Sequence, residues 1–299
     1  MAEVQSRLRS FVRQLSPVPE RIEPFTESQW RWCPSIVLAV FYAVVTIYSL
    51  YALTLWYKSA DVKYGVDVYL TTWSYCTVFL HFLLSTVIVC THHISHYCHQ
   101  SGSPVAVRYK QGDEESSNLD GLPDPNDILK EDDTNISDSN TNEWITCRDH
   151  FLKHVTIPGS WILSNIVFVF VIVVTGVYYT VMCPKDVTCW RYFNINVHAL
   201  NTVFIIVDVI VNGRPVRMCH VVYPFIFGFI YVMFSIFFWA PDHSRVIYRI
   251  VLNWNNPGLT IGVLVGAFIG IVFLHALHLG LYKLKLYLYN RNYQQPVRV

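Results

Sequence analysis

Residues 193–211 read FNINVHALNTVFIIVDVIV. The stretch is long and apolar enough to cross a membrane, yet polar side chains recur through it. At about 100° per residue, Asn194, His198, Asn201, Asp208 and the flanking Asn212 fall within roughly an 80° arc of one helix face. Ionisable groups are expensive in lipid and face a bundle interior, a cavity or a partner. The stripe therefore marks either a functional site or a set of interhelical hydrogen bonds. Both uses need an inward-facing stripe, and the stretch alone leaves them open.

Outward from it, the composition is that of a membrane protein. Of 299 residues, 53% are hydrophobic and 14% charged, where soluble domains carry about 25% charged residues. Six long apolar runs, at 36–57, 69–91, 161–183, 193–211, 219–240 and 259–282, each approach the ~20 residues that cross ~30 Å of hydrocarbon. Runs of that length satisfy their backbone in lipid only as helices. The predicted fold is all-α: a polytopic membrane protein, a six-transmembrane-helix bundle.

The N-terminal segment 1–35, the loop 92–160, the turn 212–218 and the tail 283–299 together hold 16 of the 22 Lys and Arg. This bias puts both termini in the cytosol. The predicted organisation is a basic cytosolic segment (1–35), spans one and two (36–91), a cytosolic loop (92–160), spans three to six (161–282) and a cytosolic tail (283–299). Residues 1–35 lack a cleavable-signal pattern, so the first span would serve as the insertion signal. A net charge of +1 leaves no nucleic-acid footprint. Membrane lipids are the implied surroundings, at the plasma membrane or the endoplasmic reticulum. Between Gly112 and Glu143 lie eleven Asp or Glu and one basic residue, Lys130. The segment 101–143 is too poor in apolar groups to offset its ordering entropy and is expected to be disordered.

Several side chains suggest chemistry. His92, His96 and His99 stand at i, i+4 and i+7, one face of a continued helix. Three imidazoles and water would suit zinc, but a His-rich helix exit needs no metal, and no second ligand set is evident. His81, His198 and His275 lie at unmatched depths, giving no facing pair for haem. No cofactor is expected. Eight cysteines include no CxxC; Cys183 and Cys189 share a predicted outer loop where a disulfide is permitted. Gly262, Gly266 and Gly270 form a GxxxGxxxG face suited to close helix approach. Arg214 and Arg217 in the turn NGRPVR read as topology anchors at the inner surface.

NVHALNTVFIIVD, RPVRMCHVVYPFIFGFIYVMFS, and WNNPG ahead of the Gly-rich last span resemble the rolling stone family, as do YLTTWSY and GSWILSNIVFVFVIVVTGVYY. The resemblance covers essentially all the spans and implies a multi-pass membrane protein. The founding insect member is associated with myoblast fusion, so a role in cell–cell fusion or development is the implied function. The acidic insert 101–143 is not part of the pattern. The chain more distantly resembles the androgen-induced family of intramembrane threonine hydrolases, which cleave fatty-acyl esters. That likeness assigns Thr71, in YLT, as nucleophile and His198, in NxxH, as base; both sit within about 5 Å in predicted depth. Asn201 would orient the ring or donate to an oxyanion. It departs from the pattern in Thr72 after Thr71 and in Asn201 where Thr is expected. In the structural alternatives, Thr71 bonds the first turn of a helix and His198 bonds a neighbouring helix. A channel or transporter lacks inverted repeats and paired broken helices.

On this topology, a glycosylation acceptor placed within 101–143 stays unmodified in cells, whereas one placed in loop 241–258 is modified. Modification of the first would overturn the orientation.

Overall fold

The computed structural model describes residues 5, 14–19, 21–59, 63–101, 150–183 and 194–293; the expected disordered segment 101–143 and Cys189 lie outside them, apart from Ser101. The fold is all-helical: the described residues form six long helices and two isolated β-bridges, with no strand. They are α1 (Ser35–Ser59), α2 (Leu70–Ser101), α3 (Ile157–Val177), α4 (Leu200–Val211), α5 (Val222–Trp239) and α6 (Pro257–Tyr293). Five of these, with their flanking turns, are long and apolar enough to cross a membrane. The sixth, Ile195–Val211, is shorter at 17 residues or fewer by that measure, about 25 Å at 1.5 Å per residue. The end of the bundle holding Ser35 is termed inner below, following the Lys and Arg count.

Two boundaries differ from the hydropathy reading. α2 runs on to Ser101 and α6 to Tyr293, since neither extension contains a Gly or Pro to stop the helix. α3 is bracketed by π-helical turns, Leu152–Thr156 and Tyr178–Met182, and a third, Ile195–Ala199, opens α4. Each widens one turn to i→i+5 bonding.

α3 is the central helix and packs against α2, α4, α5 and α6. The main core joins Leu38 and Tyr42 of α1, Val78 and Phe82 of α2, Val167–Val171 of α3, and Ile205 of α4. α5 and α6 are peripheral, with Phe229, Phe237, Phe268 and Phe273 exposed on the bundle exterior, where lipid would cover them. The GxxxGxxxG face of α6 meets no neighbour among the described residues: a Cβ at Gly262, Gly266 or Gly270 would find open space. Among them the expected close helix approach is therefore not made.

The N-terminal segment is docked on the bundle. After a short helical turn, Glu23–Thr26, the Ser28 hydroxyl donates to Val211 O at 2.9 Å and the Trp30 indole N–H to Ile210 O at 2.8 Å. These donors satisfy carbonyls that the end of α4 leaves unpaired. Phe25, 2% exposed, packs edge-on against Trp161 at 5.4 Å. Cys183 is disulfide-bonded.

Gly213 lets the two segments meet. A Cβ there would lie 3.1 Å from both Cα and O of Pro24, and backbone atoms cannot swing aside. Gly213→Ala should cost about 1–3 kcal/mol, read as a lower melting temperature of the detergent-solubilised protein. Gly266→Ala, with open space around it, should leave melting unchanged or raise it slightly.

Candidate functional site

α4 presents the stripe inward: His198, Asn201, Asp208 and Asn212 are all buried. Asp208, 2% exposed, has both carboxylate oxygens engaged. The Tyr42 hydroxyl donates to Oδ1 at 2.7 Å; Oδ2 lies 3.0 Å from His81 Nε2 and accepts from Arg214 Nη1 at 3.1 Å. Arg214 Nη2 donates to Ser85 Oγ at 2.7 Å, and the Ser85 hydroxyl donates to His81 O at 2.6 Å. Arg214 also lies over the Tyr42 ring, its Cζ 5.5 Å from the centroid, within the range of a cation–π contact.

Local sequence explains how an arginine from the inner turn reaches the interior. α4 ends where Asn212 N–H bonds Asp208 O at 2.9 Å and the backbone becomes extended at Asn212. The Asn212 side chain then accepts from Arg214 N–H at 3.1 Å, an Asx turn that folds the chain back. The guanidinium thus returns to the carboxylate six residues earlier. Arg214 is 3% exposed, which corrects its reading as a surface anchor: the buried acid draws it in as counter-ion. Lys285 of α6 completes the cap. Its ammonium donates to Val209 O at 2.8 Å and Asn212 O at 2.5 Å, where the negative end of the α4 dipole favours a cation.

Beside this network lies a cavity of about 10 Å³, lined in part by Ser164, Asp208, Asn212, Arg214, His278 and Lys285. That is room for about one water and far below the ~300 Å³ of a small-molecule pocket. The carboxylate is committed to fixed internal partners.

The residues singled out for hydrolysis have separate partners. Thr71 is half-buried, and its side chain lies beside the Tyr248 hydroxyl in the loop between α5 and α6, which accepts from Leu70 N–H at 3.0 Å. Burial pushes the Tyr248 hydroxyl up to about 12, so it stays protonated at neutral pH. The buried neighbour is Thr72, whose hydroxyl donates to Val66 O at 2.6 Å and accepts from Trp56 Nε1 at 2.8 Å. His198 stacks on Tyr178, centroids 3.5 Å apart and planes 10° from parallel, and its carbonyl accepts from the Thr175 hydroxyl. Asn201 Nδ2 donates to Val197 O at 2.7 Å. No hydrogen bond joins Thr71 to His198 or Asn201 among the described residues. His92 is half-buried on α2 beside His93; the side chains of His96 and His99 lie outside the described residues. Among the described residues no group of three His, Cys, Asp or Glu could hold a metal.

Tyr42, His81, Ser85, Arg214 and Lys285 were not singled out as a set from sequence. The available signal was Asp208 itself, since an acid inside a span requires donors from other helices.

Fold and site together define a polytopic helical membrane protein built on a buried ion-pair network. Residues 152–297, just under half of the chain, match the rolling stone family. A relative is the protein rolling stone of Drosophila melanogaster, 29% identical over 132 residues, covering 42% of this chain and 48% of that protein. The match thus spans about half the length of the curated relative. No solved structure matches.

Breaking a buried pair from one side costs about 3–5 kcal/mol, whereas replacing both members with apolar groups can be nearly neutral. Asp208→Leu and Arg214→Met should each lower the melting temperature sharply. The double variant should lose much less than the sum, and strict additivity in this double-mutant cycle would show that the pair is not coupled.

Proposed function

We propose that this protein acts in a rolling stone-type membrane event, cell–cell fusion of the myoblast kind or a related developmental step, as a non-catalytic multi-pass component. The match of residues 152–297 to the rolling stone family supports the class. The observation that carries the non-catalytic reading is the state of Asp208: Tyr42, His81 and Arg214 occupy both its oxygens, and the adjacent cavity admits about one water. A carboxylate held this way fixes helix positions and has no free lone pair directed at a substrate-sized space. In this proposal both termini and loop 92–160 face the cytosol, and the protein works at the plasma membrane, where partner cells meet.

The hydrolase alternative assigns Thr71 as nucleophile, His198 as base and Asn201 as its support. It requires the hydroxyl to reach the imidazole, as an activated nucleophile does. The Thr71–Tyr248 and His198–Tyr178 contacts give it no support.

A cell-mixing assay distinguishes the two. Fusion-competent cells lacking the protein should show content mixing reduced several-fold, restored by the wild type and equally by Thr71→Ala and His198→Ala. If mixing is unchanged in cells lacking the protein, while the purified protein cleaves a fatty-acyl ester and loses that activity in both variants, the proposal fails and the hydrolase stands.

A further inference from the structure

A second cavity lies at the other end of the bundle. It is a groove of about 600 Å³ between α2 and α5, open to the surroundings, and its lining includes Tyr57, Asp67, Trp73, Phe227, Phe234 and Phe238. Its volume falls in the range of small-molecule sites. Among the described residues, Asp67 is the one formally charged residue in the lining.

The groove has a polar head and an apolar body. Asp67 ends the outer loop before α2, and its Oδ1 accepts from the Tyr57 hydroxyl at 2.5 Å. Its backbone carbonyl accepts from the Trp73 indole at 2.8 Å, which sets an aromatic ring on each side of the acid. Asp67 is exposed and forms no ion pair among the described residues. Trp73 packs against Phe234 at 5.1 Å, and Phe234 against Phe238 at 6.1 Å. Below this level the lining is Phe227, Cys76 and Thr77. From Phe238 to Phe227 along α5, or from Asp67 to Thr77 along α2, the groove descends about 15 Å. That is half the ~30 Å hydrocarbon thickness, the depth of one leaflet.

A carboxylate with no ion-pair partner among the described residues, with the aromatic side chains of Tyr57 and Trp73 beside it, suits an organic cation such as a quaternary ammonium, which aromatic surroundings favour. The apolar body beneath suits an acyl chain. We infer that this groove is a binding site for a choline-headgroup phospholipid of the outer leaflet, with the ammonium at Asp67, Tyr57 and Trp73 and one chain lying along Phe234 and Phe227. The inference is independent of the fusion reading and of the Asp208 network.

The test uses the full chain, purified in detergent and incubated with an equimolar mixture of phosphatidylcholine, phosphatidylethanolamine and phosphatidylglycerol, with retained lipid read by native mass spectrometry. Phosphatidylcholine should be retained about threefold or more over either competitor. Asp67→Asn, which keeps the side-chain shape, should level that ratio, and so should Trp73→Leu. Phe273→Ala, on the exposed face of α6, should leave it unchanged. Melting curves confirm folding of each variant; should Trp73→Leu unfold, Asp67→Asn decides alone. Equal retention of the three headgroups, preference for the primary ammonium of phosphatidylethanolamine, or a preference that survives Asp67→Asn overturns the inference.

Discussion

An ionised carboxylate in hydrocarbon has no water to solvate it, and the arrangement of this bundle follows from that constraint. Asp208 is stable there because donors from α1, α2 and the turn after α4 converge on it: Tyr42, His81 and Arg214. Each donor fixes a rotation and a depth for its own element. Charge-assisted hydrogen bonds are short-range and directional, so they specify geometry more sharply than the aliphatic contacts around them. The aliphatic core supplies close packing, which in lipid is the main source of helix association. The network adds the register in which that packing occurs.

The same acid organises the inner end. Arg214 reaches it only because Asn212 turns the chain with its side chain and Gly213 has no Cβ to strike Pro24. That close approach brings the N-terminal segment under α4, where Ser28 and Trp30 bond its terminal carbonyls. Lys285 reaches the same helix end from α6. A helix of modest length is therefore held at its inner end by residues from two distant parts of the chain and by the turn that follows it.

Much of this was legible in the sequence, for physical reasons particular to membranes. Hydropathy runs of near-uniform length reveal spans because lipid forbids unsatisfied backbone. The inward stripe of α4 followed from 100° spacing, and His198, Asn201, Asp208 and Asn212 are buried. What the sequence could not convey was partnership. Arg214 lies among polar turn residues, where a surface role is the ordinary reading, and its burial depends on the Asx turn and on an acid six residues away. Tyr42, His81 and Ser85 look unremarkable on their own helices, since convergence is a property of the bundle. For Thr71 and His198, similar depth was readable, but the tyrosines beside them, Tyr248 and Tyr178, depend on loop and π-turn placement that no local pattern encodes. The glycines of α6 show the converse case: the motif was plain, but no described helix of this chain lies against it.

The placement of Asp208 has a consequence for biosynthesis. An Asp in a spanning helix raises its insertion free energy, by about 2.5–3.5 kcal/mol at the centre and by less toward an end; Asp208 lies three residues before Val211, and α4 is the shortest of the six. By the time it leaves the ribosome, α1 and α2 have already been made, and they carry Tyr42 and His81. The counter-ion Arg214 emerges only six residues after the acid. α4 is thus poorly suited to partition into lipid by itself and well suited to enter beside helices that await it with hydrogen-bond donors. Membrane entry of the second half of this protein becomes conditional on correct insertion of the first, a proofreading step written into the order of the chain.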